Sequence, residues 1–567
     1  MTKSRFSILL LLLLAFNLTV SARFFYWQVV AGEELAVAAQ QQRFQFAEVT
    51  ASRGEIFSSD SYPLVLNKPA FLIYVYLPHL KGTIDSLTDK IVPVLDHEKN
   101  SSPAADLKKE IKERLSGKSK WVILRRRINE KTKKEIENLE INGLGFERED
   151  IRDYPEASMA AHLLGFVGRD QSGKPKGYFG LEGFYNQQLS GSPGLLIEEK
   201  NVFGKPIISA NRVKETMRPG LNLQLYLDRT AQFILADKLK EGLEKYGAKS
   251  GWGVIIDSQT GGVLAMASFP NYDPELYFSF DQKLFPNPIA AESFEPGSIF
   301  KPFVMATALE QGVVKPETKC TKCSGPVKIG DDKIETWNGQ YRPNCTMREI
   351  IQYSDNVGMV FVAQELGKSK LLAGIKKFGF GQKTEIDLQE ENSLAIRPSN
   401  QWYPIDLATL SFGQGIAVTP IQMVQAFNVL ANKGRLISPK IVKRIWSNRN
   451  SHYYQPEQKN RRVLSQKTTS QMKEMLVNAV ENGEAKWAKP KKLIVAGKTG
   501  TAQIPIRGHY DKEKTIASFI GFAPADDPKF VMLISLREPS TSPWGSETAA
   551  PLWFTIAERL AYYWNLL

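Results

Sequence analysis

The sequence predicts an α+β protein whose larger, carboxyl-terminal region is an antiparallel sheet carrying a helical insert. β-rich segments stand at both ends of this region, from Leu221 and again from about residue 493, and a mostly helical stretch separates them. Strands that are distant in sequence would then form one sheet, and the intervening helices would pack on it. An apolar segment at the amino terminus further predicts a single membrane-spanning helix ahead of the folded part.

Length and composition favour a large globular chain. It has 567 residues, 43% of them hydrophobic, so two or more domains with sizeable cores are expected. The net charge of +13 is compatible with an anionic membrane, an anionic polymer or nucleic acid. The densest basic stretch, Lys108–Lys134, interleaves its lysines with glutamates, and no signature of a nucleic-acid-binding module accompanies it. We therefore expect a solvated helix face there and no nucleic-acid partner.

The amino terminus predicts a membrane anchor. A short positive tail (residues 1–5) precedes the uncharged segment FSILLLLLLAFNLTVSA, and Tyr26 and Trp27 follow it. At about 1.5 Å per residue this segment is about 25 Å long, the short end of a membrane span, and aromatic residues are typical interfacial anchors. We place the span at residues 6–27. The positive tail predicts that residues 1–5 stay in the cytoplasm and that the rest of the chain lies outside.

A cleaved signal peptide is the competing interpretation of the same segment. Val20, Ser21 and Ala22 resemble a small-residue cleavage site. In either case the bulk of the chain is extracytoplasmic, so disulfide bonds are permitted.

Residues 28–215 are expected to form a domain of their own. The boundary is placed at residues 215–220, where Pro219-Gly220 precedes a new strand. The predicted elements of this domain are a helix continuing from the membrane to about Gln42, strands within Ala51–Asn67 and over Ile73–Leu77, and a helical pattern over Leu107–Leu139 that Ser116-Gly117 and the strand-like Trp121–Leu124 interrupt.

The carboxyl-terminal region, residues 216–567, begins with clear element signals. Arg229–Tyr246 carries a leucine and alanine stripe at helical spacing, and Gly247 follows at the usual left-handed stop position. GWGVIIDSQTGGVLAMAS predicts a β-hairpin. LIVAGKTGTAQI, TIASFIGFAP and FVMLISL predict three late strands, before a last helix from about Thr548 to Leu560.

Ser298 is a candidate nucleophile because it stands three positions before Lys301 in FEPGSIFKPF. Pro296 and Gly297 fit a helix start, which places both side chains on one face, and the helix amino terminus favours developing negative charge. A neutral Lys301 could take the serine proton, but an ordinary lysine has a pKa of ~10.4. Lowering it by ~3 units costs about 4 kcal/mol, which burial and a second cation can supply. Alone, Ser-x-x-Lys is weak evidence, since many helices contain it.

Two further motifs contain residues that could bind Lys301 and provide the second cation. YSDNVG contains Ser354 and Asn356, and AGKTGTA contains Lys498. We expect Ser354 to relay a proton, Asn356 to orient Lys301, and Lys498 to be the second cation. Each motif alone has a plainer explanation, a helix cap for the first and a turn for the second. Ser-x-x-Lys, Ser-Asp-Asn and Lys-Thr-Gly in this order are typical of class A β-lactamases and penicillin-binding proteins.

Residues around the third motif are candidates for binding substrate. Thr499 and Thr501 offer hydroxyls to a substrate carboxylate, and Gly500 would let a substrate strand lie against the backbone. The backbone N–H groups of Ser298 and Thr501 would form an oxyanion hole.

The chain resembles a class B penicillin-binding protein, a bacterial peptidoglycan DD-transpeptidase, over nearly its whole length. In the catalytic region the resemblance rests on GVIIDSQTGGVLAMASFPNYDP, FEPGSIFKPF, FGFGQKTEIDL, SFGQGIAVTPIQM and AGKTGTAQ. RGEIF, RDYPEASMAAHLLGFVG and GLEGFYNQQLSGSPG resemble the pedestal of this family. The resemblance implies a penicillin-binding/β-lactamase-like transpeptidase domain at residues 216–567 and a dimerisation-like pedestal domain at residues 28–215.

The resemblance also implies an activity. Ser298 would attack the penultimate D-alanine of a peptidoglycan stem pentapeptide, expel the terminal D-alanine and pass the acyl group to an amine of a neighbouring stem. β-Lactams would acylate the same serine, and no cofactor is expected. The enzyme would sit in the bacterial cytoplasmic (inner) membrane beside a glycan polymerase of the shape, elongation, division and sporulation (SEDS) family and division proteins.

Within the family, the septal cell-division type is the most similar. EPGSIFKP and YSDNVG resemble its versions of the first two motifs. The family usually shows Asp-Arg and a glycine shortly after Arg-Gly-x-Ile, where this chain has Ser58, Ser59 and Ser61, which puts partner contacts or the subgroup in doubt.

Other functions remain as alternatives. An elongation-type transpeptidase or a DD-carboxypeptidase would use the same first half-reaction. A β-lactamase is normally shorter and needs a deacylating glutamate in a Glu-x-x-Leu-Asn setting, which is not found after Ser354. A β-lactam sensor needs a multi-span signalling region.

The three cysteines leave several states open. Cys320, Cys323 and Cys345 are weak zinc candidates, because no fourth ligand is evident. A disulfide between Cys345 and one of the other two, or unpaired buried thiols, are the alternatives.

Overall fold

A computed structural model describes residues 3–96, 104–117, 119–199, 212–447, 450–506 and 509–567. The α-helices are, in chain order, α1 (Lys3–Phe25), α2 (Gly32–Arg43), α3 (Ile84–Leu95), α4 (Ala104–Leu115), α5 (Glu130–Glu137), α6 (Ala161–Leu164), α7 (Gly180–Phe184), α8 (Asn186–Ser190), α9 (Arg229–Tyr246), α10 (Pro288–Ala291), α11 (Lys301–Glu310), α12 (Met347–Gln352), α13 (Asn356–Leu366), α14 (Lys368–Lys377), α15 (Asp406–Ser411), α16 (Pro420–Ala431), α17 (Gln466–Asn482) and α18 (Ala549–Tyr563).

The strands are β1 (Phe44–Val49), β2 (Ile56–Phe57), β3 (Pro63–Tyr76), β4 (Trp121–Ile128), β5 (Leu144–Asp153), β6 (Phe166–Arg169), β7 (Pro175–Tyr178), β8 (Gly194–Glu199), β9 (Arg212–Glu215), β10 (Asn222–Leu225), β11 (Ser250–Asp257), β12 (Val263–Phe269), β13 (Val327–Ile329), β14 (Asp332–Ile334), β15 (Arg435–Ile437), β16 (Val442–Ser447), β17 (Asn450–Tyr454), β18 (Asn460–Arg462), β19 (Ala496–Ile506), β20 (His509–Ala523) and β21 (Phe530–Arg537).

The chain divides into two compact units. The first comprises residues 1–53 and 190–220. Its helix α1 continues through the π-helical Tyr26–Val30 towards α2, and the stretch Ser4–Val30 is long and apolar enough to cross a membrane. β1, β8 and β9 form its three-stranded antiparallel sheet. The predicted helix beyond the apolar segment is therefore present.

The second unit comprises residues 54–189 and 221–567 and contains a five-stranded antiparallel sheet in the order β12-β11-β21-β20-β19. Successive residues of a strand point to opposite faces of a sheet. In β21, Met532 and Ile534 pack with α9 and α18, whereas Val531 and Leu533 face the core formed with the helical insert. Both faces are buried, which explains why the FVMLISL run is apolar at every position except Ser535.

The predicted α+β class is confirmed. The helix over Arg229–Tyr246 ends at Gly247 with φ 60°, the hairpin is β11–β12, and the three late runs form β19, β20 and β21. The helical pattern over Leu107–Leu139 is interrupted by β4, as predicted. Ala51–Asn67 proves to hold β2 and the start of β3, and β3 continues as one long strand through the separately predicted Ile73–Leu77, because β4 and β5 both pair with it. The predicted domain boundaries remain predictions.

A buried ion pair links several segments of residues 54–189 in the second unit. Arg152 at the end of β5 donates from Nη2 to Glu182 (2.7 Å) and to the Gly54 carbonyl (2.7 Å), and from Nη1 to Asn67 Oδ1 (2.7 Å). The side chains of Arg152 and Glu182 are 5% and 0% exposed. The Arg152 guanidinium group therefore connects its own strand with the segments that carry Gly54, Asn67 and Glu182.

Candidate active site

Ser298 lies in a 3-10 turn, Gly297–Phe300, directly before α11. Sequence reasoning placed it in the first turn of an α-helix; instead Lys301 is the first residue of α11. In a 3-10 turn the side chains at i and i+3 eclipse each other, so Ser298 and Lys301 still share one face. Ser298 is half-buried and Lys301 is fully buried. Ser298 is thus partly open to solvent, while the Lys301 side chain is cut off from water.

Lys301 is held by the second motif. Its Nζ donates to the Ser354 carbonyl (2.5 Å), to Ser354 Oγ (3.2 Å) and to Asn356 Oδ1 (2.7 Å). All of these acceptors are uncharged, so they orient the amine without the strong preference for its charged form that a carboxylate would bring.

The loop between α12 and α13 gives Ser354 and Asn356 their positions. Ser354 has φ 56°, in the left-handed region where non-glycine residues are uncommon. Asp355 caps α13 by accepting from the Gly358 N–H (3.0 Å), and Asn356 is the first residue of that helix. Such strain is typical of functional sites, and here it lets both the carbonyl and the hydroxyl of Ser354 face Lys301.

Lys498 lies on β19, the edge strand of the five-stranded sheet among the strands that the structure describes. It is 3% exposed, and its Nζ donates to the carbonyl and to Oγ1 of Thr499, both at 3.1 Å. Thr499 Oγ1 in turn donates to Glu484 Oε2 (3.0 Å). Because β19 pairs on one side with β20, its other side can receive an added extended chain.

The serine turn packs directly on β19. A Cβ on Gly297, which has φ 57°, would lie 3.1 Å from the Thr501 carbonyl oxygen. A Cβ on Gly500 would lie 2.8 Å from Ile299 Cγ2. Sequence reasoning gave Gly500 to a substrate strand; the structure shows that its missing side chain makes room for the serine turn. The role of Gly500 in binding substrate stays a prediction.

Thr501 projects beside the loop that precedes α18. Its Oγ1 accepts from the Gly545 N–H at 3.0 Å. A threonine hydroxyl has one hydrogen and two acceptor lone pairs, so this contact leaves the hydrogen of Thr501 available. The hydrogen of Thr499, by contrast, goes to Glu484. The two threonines therefore differ in what they can donate to a ligand.

The electrostatics of the two lysines follow from burial and from each other. Burial, and next the charge of Lys498, lower the pKa of Lys301 to about 7, against the opposing charges of Glu484 and Asp355. Burial also lowers the pKa of Lys498, and Glu484 opposes that shift. A substantial fraction of Lys301 is thus neutral near pH 7, so it can act as a base towards Ser298.

Sequence reasoning missed two acidic residues at this site. Glu484 follows the end of α17 in a stretch without a recognisable motif, so no sequence signal pointed to it. Glu295 is in FEPGSIFKPF itself; it accepts from the Gly415 N–H (3.1 Å) and from the Tyr510 hydroxyl (3.1 and 3.2 Å). Burial raises the pKa of Glu295. Its partners lie more than a hundred residues away, where local patterns give no information.

The cysteines correct an expectation. Cys320 and Cys323 form a disulfide, whereas the sequence alternatives paired Cys345 with one of them, left all three unpaired or gave them to zinc. The turn between Cys320 and Cys323 brings their Cα atoms to 5.6 Å, within the range that a disulfide spans. Cys345 keeps a buried thiol, and the three sulfur atoms lie within 4.8 Å of one another. Among the described residues this group has no fourth metal-binding side chain.

A partly exposed serine three positions before a buried lysine of lowered pKa is an arrangement suited to serine acyl transfer. Comparison with known families shows the class of protein. The family model described as the penicillin binding protein transpeptidase domain matches residues 251–558, and that of the penicillin-binding protein dimerisation domain matches residues 48–225. The chain belongs to the class B penicillin-binding proteins, the family of peptidoglycan D,D-transpeptidases.

Individual relatives cover most of the chain. Stage V sporulation protein D of Bacillus subtilis is 32% identical over 540 residues, which are 94% of this chain and 82% of that protein. Penicillin-binding protein PbpB of Mycolicibacterium smegmatis is 29% identical over 496 residues, 85% of this chain and 75% of that protein.

Solved structures show the same fold. Penicillin binding protein 2X from Streptococcus thermophilus matches with a TM-score of 0.74 at 22% identity, over 91% of this chain and 80% of that one. Penicillin binding protein 3 from Mycobacterium tuberculosis, solved as a complex with aztreonam, matches with a TM-score of 0.70 at 25% identity, over 92% and 97% of the two chains.

Proposed function

We propose that this protein is a serine DD-transpeptidase that cross-links peptidoglycan stem peptides through an acyl-enzyme on Ser298. The observation that carries the proposal is the environment of Lys301. It is fully buried, bonded to Ser354 and Asn356, and influenced by the charge of Lys498. A lysine in this setting can take the serine proton near neutral pH.

In the first half-reaction, Ser298 Oγ attacks the carbonyl carbon of the penultimate D-alanine and transfers its proton to Lys301. The peptide C–N bond then breaks. The terminal D-alanine leaves once its nitrogen receives a proton relayed through Ser354, whose hydroxyl lies 3.2 Å from Lys301 Nζ. The product is an ester between Ser298 and the donor stem.

In the second half-reaction, an amine of a neighbouring stem attacks the ester carbon and loses a proton to Lys301. The C–O bond to Ser298 breaks, and the serine oxygen recovers a proton. A β-lactam would acylate Ser298 by the first route, with the ring amide in place of the peptide bond. The aztreonam complex of the M. tuberculosis relative supports this extension.

The remaining residues would bind the donor stem. Backbone N–H groups of Ser298 and Thr501 form the oxyanion hole. Lys498 and Thr501 bind the terminal carboxylate, with Thr499 beside them, and the stem lies along β19 at Gly500. The packing of the serine turn on this strand supports the assignment, because it brings Ser298 to the strand that receives the substrate.

We place the enzyme in the bacterial cytoplasmic membrane, with residues 1–5 inside and the catalytic region outside, acting at the division septum. The apolar helix and its preceding positive residues support the anchor. The sporulation relative, and a relative named as an FtsI homolog in Chlorokybus atmophyticus, favour a division-type role. A neighbouring SEDS-family polymerase is proposed from the family resemblance alone. Depletion that yields filaments supports septal action, whereas round cells indicate elongation.

The proposal is tested by labelling with a fluorescent penicillin. Ser298→Ala is expected to abolish labelling of the full-length, detergent-solubilised protein while its thermal unfolding stays unchanged, and Lys301→Ala should also abolish acylation. Ser293→Ala is the matched control, since Ser293 is exposed five positions earlier and should label normally. Persistent labelling of Ser298→Ala would refute the nucleophile.

A further inference from the structure

Glu484 connects to Lys498 through the hydroxyl of Thr499. It follows Gly483, the cap residue at the carboxyl end of α17, and its side chain is half-buried. Its Oε2 accepts from Thr499 Oγ1 at 3.0 Å, and the same oxygen of Thr499 accepts from Lys498 Nζ at 3.1 Å. Since the threonine hydrogen points to Glu484, the lone pairs of that oxygen point to the ammonium group. The three side chains form a directed hydrogen-bond chain.

Among the described residues, two carboxylates act on the buried lysines. Lys301 faces Lys498, Glu484 and Asp355, and Lys498 faces Glu484. Asp355 is itself the cap of α13, with Oδ1 bonded to the Gly358 N–H. Two ammonium groups close together in a dry site repel each other, so one of them gives up its proton first. The nearby carboxylate influences which one does so.

We propose that Glu484 is a positioning residue of this site. Its carboxylate fixes the Thr499 hydroxyl and the Lys498 ammonium and keeps the shared proton on Lys498, so that Lys301 is the neutral base. The inference rests on the proposed function, because it assigns a part in the acylation of Ser298. This role also explains why the Glu484 carboxylate lies beside a strand that would bind an anionic stem. Its charge interacts with Lys498 through Thr499.

The test is the pH profile of acylation by a chromogenic cephalosporin, measured on the full-length protein in detergent. Glu484→Gln keeps an acceptor for Thr499 but removes the charge that stabilises both ammonium groups. Acylation that needs a neutral Lys301 and a protonated Lys498 has a bell-shaped pH profile. Its basic limb, which reports Lys498, should move to lower pH by about one unit and its acid limb, which reports Lys301, by less, so the profile narrows and the maximal rate falls. Glu484→Asp, which retains the charge, should bring the limbs back towards their wild-type positions.

Glu481→Gln is the matched control, because Glu481 lies on the last turn of α17 and pairs with Lys489 away from the two lysines. Its profile should match that of the wild type. A Glu484→Gln profile with unmoved limbs, whatever its height, would overturn the inference, since a purely structural role lowers the rate without moving them. Failure of the proposed function is seen separately, as continued labelling of Ser298→Ala.

Discussion

Lys301 Nζ lies 2.7 Å from Asn356 Oδ1, and the same amide donates from Nδ2 to the Glu335 carbonyl at 3.3 Å. The second contact fixes the amide orientation, because a flipped amide would present its nitrogen to the lysine. The lysine therefore meets a neutral oxygen where an aspartate would place a full charge. We therefore expect the basicity of Lys301 to depend on whether residue 356 carries an amide or a carboxylate.

Asn356→Asp should convert Lys301 into a poor base at neutral pH. The new carboxylate would stabilise the ammonium and raise the pKa of Lys301 above about 7, by roughly 2 units. The neutral fraction at pH 7 would fall by about 50-fold and would recover as the pH rises through the new pKa. Acylation rates measured from pH 6 to pH 10 check this. Asn338→Asp, an exposed turn position, should leave the profile unchanged. An acid limb that stays in place in Asn356→Asp would contradict the account.

The two threonines of the third motif should behave differently. The hydrogen of Thr501 is free to bond a ligand carboxylate, whereas that of Thr499 goes to Glu484. Thr501→Val should lower the acylation efficiency of a carboxylate-bearing β-lactam by about 10- to 100-fold, since a hydrogen bond to a charged group contributes about 1.5–3 kcal/mol. When the binding affinities of the two variants for the β-lactam are compared, Thr499→Val should have the smaller loss. Thr501→Ser keeps a hydroxyl at this position and should retain the wild-type acylation efficiency. The methyl ester of the same β-lactam lacks the charged carboxylate, so the wild type and Thr501→Val should acylate with it equally well. A larger loss of affinity in Thr499→Val would reverse the assignment.

The local placement of the first two motifs could be predicted from the sequence because each spans a single turn, whereas the catalytic roles of their residues remain predictions. Ser298 and Lys301 share a turn, and Ser354 and Asn356 flank one helix cap, so spacing alone places each pair. Strong periodicity likewise predicted the helix Arg229–Tyr246 together with its glycine stop. In these cases the residues that carry the sequence pattern are the same residues that form the turn or helix.

What the sequence could not provide depends on contacts between distant segments. Glu484 lies 15 positions from Thr499, but it reaches that residue only because α17 packs against β19. The purpose of Gly500 depends on Ile299, two hundred residues earlier, and the extension of β3 depends on its two partner strands. The cysteine pairing was missed because the tight turn over residues 320–323 left no periodic signal.

Arg152→Met should destabilise the second unit strongly. The substitution removes the ion pair between Arg152 and the buried Glu182, together with the donors to Gly54 and Asn67, and breaking a buried pair typically costs about 3–5 kcal/mol. The temperature at which fluorescent-penicillin binding is lost should fall by about 5 °C or more. Arg148→Met is the control on the same strand, because the Arg148 side chain is 71% exposed and its ion pair contributes little. Equal behaviour of the two variants would show that the buried pair does not stabilise the fold.

Thiol mapping should find a single free cysteine, Cys345. Burial, with the charges of Asp355 and Glu349, raises the pKa of this thiol to about 12, so the native protein should not react with iodoacetamide at pH 8. After denaturation without reductant, Cys345 alone should be alkylated, and reduction should then expose Cys320 and Cys323. Peptide mass mapping distinguishes the other states: protection of Cys345 means that it forms the disulfide, and alkylation of all three without reductant means that no disulfide exists.

The disulfide closes a loop of only a few residues. Replacing both cysteines, Cys320→Ala with Cys323→Ala, should therefore lower the free energy of unfolding by about 2 kcal/mol, because the unfolded chain is no longer constrained. Normal penicillin labelling of that variant would show that the disulfide contributes to stability and not to catalysis.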